Sequence, residues 1–410
     1  LLKYNFLIFF IFTINAQQTS TISGFVRDNA TGEPLSYVNV FVVVGGSYKG
    51  SASNQDGYYL ISNLFPGEYN VNASIIGYKM MTNNVILDKE DEARLDFRLD
   101  VSAIEGEEVN VSAERIKFEQ SMESSRISLD LREINTVPGF IEADVFRTLQ
   151  MLPGVQSGGD FSSALYVRGS TPDQNLIMLD GITVYNPYHL GGIFSTFNTD
   201  AIKEADFHAG GFPARYGGRM GAILNVINRE GNTEKITGSG NISLVTGKAL
   251  IEGPLPKWKG MKGSWLLSGR RTYFDQFVKL LTGGTGEFPY YFYDYQFKTN
   301  LDLGQNHRLT YTRFYGDDIV RYSGSDESSN NDGGTSKNKY GIDWPWGNHT
   351  NGLTWRWIVS PKMVAKTFLS SSRYRYDFNF NYDNKETYLD NDSTIQNNLA
   401  FDIIYKDIIK

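Results

Sequence analysis

The residue types that most often carry enzyme chemistry are sparse in this sequence and form no reactive pattern. The chain has four histidines, and none of them has the i, i+4 spacing of a helical metal site. It has no cysteine, which excludes disulfides, thiolate metal sites and cysteine nucleophiles. No G-x-S-x-G, phosphate-binding-loop or G-x-G-x-x-G motif occurs. We therefore expect no enzyme, metal or cofactor, and we interpret Asp317 and Asp318 as solvated acids in a loop.

Two binding functions are also disfavoured. Asn54, Asp56 and Gly57 have residue types found in calcium loops, but the later ligand positions are occupied by aromatics and Leu. A tight hairpin turn explains these residues better, because Asn, Asp and Gly are the common turn formers. The net charge of −7 argues against nucleic acid as a partner, since phosphate binding requires a basic face.

The first residues have the pattern of an export signal. Lys3 is followed by the apolar run Tyr4–Ile14, which ends at Asn15-Ala16. That run is shorter than the roughly 20 residues that cross a bilayer as a helix. We expect residues 1–16 to be a signal peptide that is removed near Ala16. No later segment is apolar enough for such a helix, so any membrane-spanning part is expected to be a β-barrel.

Residues 17–100 have the pattern of a small β-sandwich, in which β-branched and aromatic runs alternate with turn residues. The predicted strands are Thr21–Val26, Val38–Val44, Tyr58–Ile61, Glu68–Ile75 and Ala93–Leu99. The motifs Gly24-Phe25-Val26, Asp56-Gly57-Tyr58-Tyr59 and Ile76-Gly77-Tyr78 resemble the carboxypeptidase regulatory-like domain. Despite its name, that family has no catalytic residues of its own.

Residues 124–231 combine helix and strand signals. An apolar face predicts a helix over Ile141–Leu152, and Pro153-Gly154 would end it. The strings 165–169 (LYVRG), 173–182 (DQNLIMLDGI), 198–211 and 216–228 follow in order, with a helix cap at Asn198 or Thr199 and a hairpin turn at Asp180-Gly181. Together they resemble the plug domain of TonB-dependent receptors. The signature residues are Arg168, Gly169, Asp180, Gly181 and Arg219.

The segment 101–123 links these two regions. Its alternating valines could add to the edge of a partner's sheet, and a plain linker is the alternative. In the plug family an acidic-Val-x-Val-small motif, the TonB box, lies just before the plug. The resemblance therefore implies a box formed by Glu107, Glu108, Val109, Asn110, Val111 and Ser112, with Asn110 as a departure from the commoner form.

Residues 232–410 alternate like membrane strands. Over Tyr293–Leu303, aromatic and aliphatic residues fall on one face, and Asp294, Gln296, Lys298, Asn300 and Asp302 fall on the other. Leu353–Val359 gives a second, less regular example. A soluble sandwich buries its apolar face and a barrel turns it to lipid, and one strand does not distinguish the two.

Connection lengths favour the barrel. Short links near Pro254–Gly263, Gly304–Asn306 and Ser360–Lys362 alternate with long ones near Phe274–Tyr290, Arg321–Gly347 and Asn381–Gln396. This spacing predicts about eight strands, too few to enclose a plug, whereas plugged transporters have about 22. Since the chain also begins with Leu, we expect a fragment that ends inside the barrel.

The expected fold is mainly β: an N-terminal sandwich, a mixed α/β plug and the first strands of a truncated antiparallel transmembrane barrel. The resemblance implies TonB-dependent transport of a siderophore, glycan, peptide or similar ligand across the outer membrane of a Gram-negative bacterium, with the sandwich in the periplasm. The implied partners are TonB with its inner-membrane energising complex, outer-membrane lipid, the extracellular ligand and, as in glycan importers, a surface lipoprotein. Arg168 and Arg219 are the candidates for plug–barrel charge pairs, and the alternative for each is an ordinary solvated arginine. The alternative is an adhesion or signalling receptor that does not transport.

Overall fold

A computed structural model describes most of the chain, with gaps. The described residues are 19–102, 126–137, 142–159, 161–243, 245–256, 261–284, 288–329, 334–390 and 393–409. The predicted signal peptide (1–16), the predicted TonB box (107–112) and Ile141 lie outside these ranges. The chain divides into two compact units, one made chiefly of residues 19–30 and 34–102 and the other chiefly of residues 126–359 and 364–409.

The first unit is a β-sandwich. Its strands are β1 Ser20–Asp28, β2 Asn39–Val44, β3 Ser47–Ala52, β4 Tyr58–Leu64, β5 Gly67–Ser74, β6 Met81–Leu87, β7 Glu92–Arg94 and β8 Phe97–Leu99. One sheet has the order β4-β1-β7, with β8 also paired to β1, and the other has the order β3-β2-β5-β6. Val40 and Val42 of β2 and aromatics such as Tyr59 and Phe97 are fully buried between the sheets. The apolar face of each sheet therefore points inward, as in a soluble sandwich.

Three details of the sandwich differ from the sequence prediction. Ala93–Leu99 is not one strand, because β7 and β8 pair in parallel with successive parts of β1. The strands β3 and β6 were not predicted, since their outward residues are mostly polar. Asn54–Gly57 forms the expected tight turn, with Gly57 at φ +76°, but it joins β3 and β4 of different sheets and is not a hairpin.

The second unit begins with a mixed α/β plug. Its strands are β9 Arg126–Asp130, β10 Val155–Gln156, β11 Tyr166–Val167, β12 Leu176–Leu179, β13 Ile182–Thr183, β14 Tyr188–His189, β15 Phe194–Ser195, β16 Ile202–His208 and β17 Ile223–Asn228. The central sheet has the order β13-β12-β17-β16-β9. Two short helices, α1 Leu131–Thr136 and α2 Val145–Leu149, pack on it through Ile134, Phe146 and Leu149.

The predicted helix Ile141–Leu152 is much shorter in the structure. Asp144 caps α2 by accepting from the Phe146 amide (2.8 Å), and its other oxygen accepts from the Ser195 amide (2.7 Å), so the helix begins only at Val145. After Leu149 the backbone continues in i→i+3 turns, which keep Leu152 against the core without extending the helix. At Asn198 the expected cap is present, and the turn that it starts, Thr199–Ala201, is a 3₁₀ helix.

The rest of the described second unit is an antiparallel sheet of eight strands in sequential order, as expected. Its strands, which we call the wall, are β18 Thr237–Ile242, β19 Thr246–Pro254, β20 Lys262–Thr272, β21 Tyr290–Leu303, β22 His307–Ser329, β23 Thr335–Ser360, β24 Met363–Asp390 and β25 Ser393–Ile409. A helix, α3 Phe274–Leu281, lies between β20 and β21. No helix within the described ranges is long and apolar enough to cross a membrane.

The wall buries its polar face. On β21, Asp294, Gln296, Lys298 and Asn300 are buried against the plug, whereas the aromatic residues between them are only half-buried. The outward Leu353, Trp355, Trp357 and Val359 of β23 are likewise about 40% exposed. The advance from Tyr293 to Leu303 is about 33 Å along the strand, or about 25 Å across a membrane at a tilt of about 40°. This inversion is the arrangement of a membrane barrel and not of a soluble sandwich.

Two predicted long loops are strand instead. The segments Arg321–Gly347 and Asn381–Gln396 largely continue β22–β23 and β24–β25 as paired strands. Turn-rich composition suggested loops, but alternation continues through both segments and supports pairing. Asp317 and Asp318 therefore lie within β22 and are buried, not solvated as the sequence suggested.

Candidate functional site: the plug–wall interface

The candidate site is the set of buried polar contacts between the plug and the inward face of β20–β23. Inward residues of the wall alternate with outward ones, so each strand turns every second side chain towards the plug, and on β21 the inward residues from Asp294 to Asn300 are all polar. Apolar contacts are also present, notably Phe194 against Phe292 and Phe314 against the plug core. The ionisable contacts are described next, because buried charges need partners and thereby define the fit.

The first contact is centred on Asp180. The Asp180-Gly181 pair forms the predicted two-residue hairpin turn between β12 and β13, with both φ values positive (50° and 79°). This turn places the Asp180 carboxylate at the wall, where it accepts from Lys298 Nζ (2.9 Å) and Thr312 Oγ1 (2.9 Å). It also accepts from the amide and side chain of Asn228 in the plug. We call Asp180, Asn228, Lys298 and Thr312 the Asp180 cluster.

A second contact surrounds His189, which is fully buried. Its Nδ1 lies 2.8 Å from Asp318 Oδ2, its Nε2 lies 3.4 Å from Asp294 Oδ2, and its ring stacks on Phe292 at 4.0 Å. Arg270 continues the set by pairing with Asp294 (2.9 Å) and with Glu142 of the plug (2.7 Å). Arg270 also donates to the Ser195 carbonyl (2.8 Å). Together these groups, the His189 cluster, tie two plug segments to three wall strands.

The charge state of His189 follows from this environment. Burial alone would lower its pKa, and Arg270 acts in the same direction. The carboxylates of Asp318 and Asp294 outweigh both effects and hold the pKa of His189 above the ordinary histidine value. A protonated His189 places a positive charge between two carboxylates. Its deprotonation leaves them with Arg270 as the cationic neighbour in the cluster.

Other contacts continue the interface along the wall. Near the short turns, Glu230 at the end of the plug pairs with Arg308 of β22 (2.6 Å). Towards the opposite end, Asn348 of β23 accepts from the amides of Tyr185 and Asn186 (3.1 Å each) and donates to the Asn186 carbonyl (2.6 Å). The plug is therefore held by polar contacts over the height of the wall.

The signature residues proposed from sequence have different environments. Asp180 and Gly181 form the turn at the wall. Arg168 and Gly169 lie at a tight turn with positive φ, and the Arg168 side chain is exposed. Arg219 is exposed and bonds to the neighbouring Gly218 carbonyl. Within the described residues neither arginine forms an ion pair, so the expected charge pairs are made instead by Asp180, Glu142, His189 and Glu230.

The sequence did contain a signal for the missed residues. Lys298 and Asp294 were placed together on the polar face of a strand, but their partners could not be read from one strand. Arg270 and Asp318 had no comparable signal, since each requires the register between strands. In the described part of the chain, no three His, Asp or Glu side chains are grouped to hold a metal ion.

Comparison with known families bears on this geometry directly. A family model described as the TonB-dependent Receptor Plug Domain matches residues 133–223, which contain Asp180 and His189. The chain therefore contains a plug domain of the kind found in TonB-dependent receptors. A second model, the Carboxypeptidase regulatory-like domain, matches residues 21–100 and therefore the sandwich. Both domain resemblances seen in the sequence are confirmed.

Individual relatives are distant. The TonB-dependent transporter Oar of Myxococcus xanthus is 23% identical over 226 residues, which cover 53% of this chain and 21% of that protein. Among solved structures, the siderophore receptor PirA of Pseudomonas aeruginosa has a TM-score of 0.35 at 13% identity, covering 69% of this chain and 52% of that one. The ferric enterobactin receptor PfeA of the same species has a TM-score of 0.37 at 12% identity, covering 71% and 59%. The chain thus spans a fifth to three fifths of the length of these relatives.

Proposed function

We propose that this receptor imports a ligand across the outer membrane of a Gram-negative bacterium by TonB-dependent active transport. The observation that carries the proposal is the polar plug–wall interface. The plug has an apolar core of its own, centred on Phe146, Leu149 and Phe207, so it can stay folded when its outer contacts change. Polar groups that separate at the interface can bond to water instead, which lowers the cost of moving the plug.

The proposed mechanism couples a periplasmic pull to this interface. TonB, energised from the inner membrane, pairs with residues 107–112 through backbone hydrogen bonds. The segment precedes β9, an edge strand of the plug sheet, so tension on it reaches the plug first. The sandwich lies in the periplasm, the wall lies in lipid, and ligand arrives at the end of the wall opposite the short turns.

Substitution of Val109 by Pro tests the coupling. Proline removes a backbone donor and does not fit within a strand ladder, so we expect uptake to be abolished and surface binding to be unchanged. Uptake of labelled ligand and binding to de-energised cells are measured side by side in the complete protein. Lys117→Pro, placed five residues beyond the segment and before β9, is the matched control and is expected to import normally. Import at the wild-type rate by the Val109→Pro protein would refute coupling through residues 107–112.

A receptor that binds or signals without transport is the second candidate. It would show ligand binding with no accumulation inside the cell, and Val109→Pro would then change neither reading. The sandwich at residues 20–99 contains strands and turns in place of the mixed α/β domain expected of signalling receptors, which favours transport. A surface lipoprotein partner is a further proposal, tested by co-purification of the complete receptor from outer membranes.

A further inference from the structure

The two faces of the wall exchange character beyond the plug. Nearer the short turns, the inward face is polar and the outward face is apolar, as on β21. Beyond Asp318, charged residues occupy outward positions, where Arg321 pairs with Asp343 (3.2 Å) and Lys337 with Glu327 (3.1 Å). Several inward positions there hold aromatic residues, among them Tyr322, Tyr340 and Trp344. The outward charges are explained if this part of the wall faces water on its outer side. The inward aromatic residues need a separate explanation.

The inward direction of these aromatics is fixed by contacts with the plug. Trp346 packs with Tyr290 in a cluster that includes plug residues, and Tyr374 stacks on Tyr185 of the plug at 5.5 Å. Strand register places Trp344 opposite Val320 and Tyr340 opposite Gly324 on the same face. Trp344 in turn meets Tyr376 (5.8 Å) and Phe378 (5.7 Å). We call Tyr340, Trp344, Trp346, Tyr374, Tyr376 and Phe378 the aromatic wall.

The polar groups that lie among the rings include uncharged amides and hydroxyls. Asn338 accepts from Tyr382 Oη (2.9 Å) and from Asn384 Nδ2 (2.7 Å) on the same inward face. In the described parts of β22–β25 beyond Asp318, inward positions hold the acids Asp326 and Glu386 but neither lysine nor arginine. The basic residues of these segments, among them Arg321, Lys339 and Lys385, alternate onto the outward face.

We propose that the aromatic wall binds an uncharged oligosaccharide. A sugar ring has an apolar C–H face that can lie on an aromatic ring and a rim of hydroxyls that can bond to Asn338, Asn384 and tyrosine hydroxyls. An anionic ligand would meet acids and no cation at the described inward positions of these strands, so its desolvated charge would be uncompensated. A chain of apolar residues would cover the rings but would leave the amide and hydroxyl groups without partners.

The inference deepens the proposed import function by naming the ligand class, and its test separates the two. The complete receptor in lipid nanodiscs is applied to an array of neutral oligosaccharides, with neutral peptides and an iron(III) tris-catecholate complex as the other probes. We expect binding to neutral oligosaccharides and none to the anionic complex. Trp344→Ala should weaken binding about tenfold, the effect of about 1.4 kcal/mol. Trp357→Ala, on the outward face, is the matched control and should bind normally.

Each result bears on one conclusion. Tyr376→Ala is measured alongside, so that a folding defect in one variant does not decide the result. Absence of any oligosaccharide binding, binding that survives both substitutions, or binding of the iron complex or the peptides at the aromatic wall overturns the ligand class. Import of the iron complex that Val109→Pro abolishes would keep transport and reject this ligand class. Oligosaccharide binding without import would keep the class and reject transport.

Discussion

The sandwich and the wall are both built from strands that alternate with a period of two, yet they bury opposite faces. In the sandwich, Val40, Val42 and Val71 point into the core. In the wall, Asp294, Lys298 and Asn300 point inward and are equally buried, while Trp355 and Trp357 are left on the outside. Alternation therefore identifies a strand but not the medium on each side of it, which must be inferred from other properties.

Strand length and charge are the properties that differ. The sandwich strands have at most nine residues, whereas β21 to β25 have 14 to 28, beyond the usual range for globular sheets. The buried face of β21 also contains acids and a lysine, which a soluble core rarely tolerates without partners. In the wall those partners come from the plug. The charged residues of each part are therefore accounted for by oppositely charged or polar residues of the other.

The difference between the two buried faces can be tested by giving the wall an apolar inward residue, as in the sandwich. Lys298→Met replaces an inward charge by an apolar side chain and leaves the buried Asp180 carboxylate without its cation. We expect the plug to be destabilised by about 3 to 5 kcal/mol, which lowers its urea midpoint by about 1 to 3 M. The midpoint is read from the reaction of a maleimide with a cysteine introduced at the buried plug residue Ala205. The paired variant Asp180→Asn/Lys298→Met should recover most of the loss, since Asn also tolerates the positive φ of this turn.

Recovery in the paired variant is the critical control. If Lys298→Met leaves the midpoint unchanged, the buried ion pair does not hold the plug. The plug would then be held against the wall mainly by apolar contacts, like those between the two sheets of the sandwich.

A pH series tests the second cluster. His189 has a raised pKa in the folded protein, so its stabilising charge is fully present below the ordinary value of about 6.5 and is lost as pH rises through the higher folded value. The groups that face it are Asp318, Asp294, Arg270 and Tyr290. We therefore expect the urea midpoint of the plug to fall between pH 6 and pH 9. His189→Gln keeps a donor for Asp318 but cannot be protonated, and its midpoint should change less over this range.

The smallest effect is expected at the arginines proposed from sequence. Arg168→Ala and Arg219→Ala remove exposed side chains with no ion pair in the described structure. Each should therefore alter the free energy of unfolding of the plug by less than about 0.5 kcal/mol. A loss comparable to that of Lys298→Met would show that these arginines contribute to holding the plug through other groups.

Sequence patterns gave reliable information where the relevant contacts are local. The Asp180-Gly181 hairpin was predictable because positive φ at both positions favours those residue types. The burial of Asp317 and Asp318 was not, because their partners His349 and His189 lie 32 and 129 positions away in sequence. Helix α2 was predicted to be longer than it is for the same reason. Asp144, which caps its start, also accepts a hydrogen bond from the Ser195 amide, far along the chain.

The same limit applies to the site. The polar face of β21 was visible in the sequence, but whether it faced water, a lumen or a plug depended on the fold of the preceding hundred residues. Charge pairing was therefore assigned to Arg168 and Arg219, which follow recognisable motifs, and missed at Arg270 and Arg308, which do not.

The central claim is that transport requires the plug to move against the wall, and a reversible tether tests it most directly. A Cβ added at Gly352 of β23 would lie 2.7 Å from Ile182 Cδ1 of the plug, and these 410 residues contain no cysteine. The Ile182→Cys/Gly352→Cys variant therefore places two thiols close together across the interface, where oxidation is used to join them by a disulfide. Uptake by cells carrying the complete receptor is measured before and after reduction, with each single-cysteine variant as a control. We expect the oxidised protein to bind ligand but not import it, and reduction to restore import. Import at the wild-type rate with the disulfide intact would contradict the account.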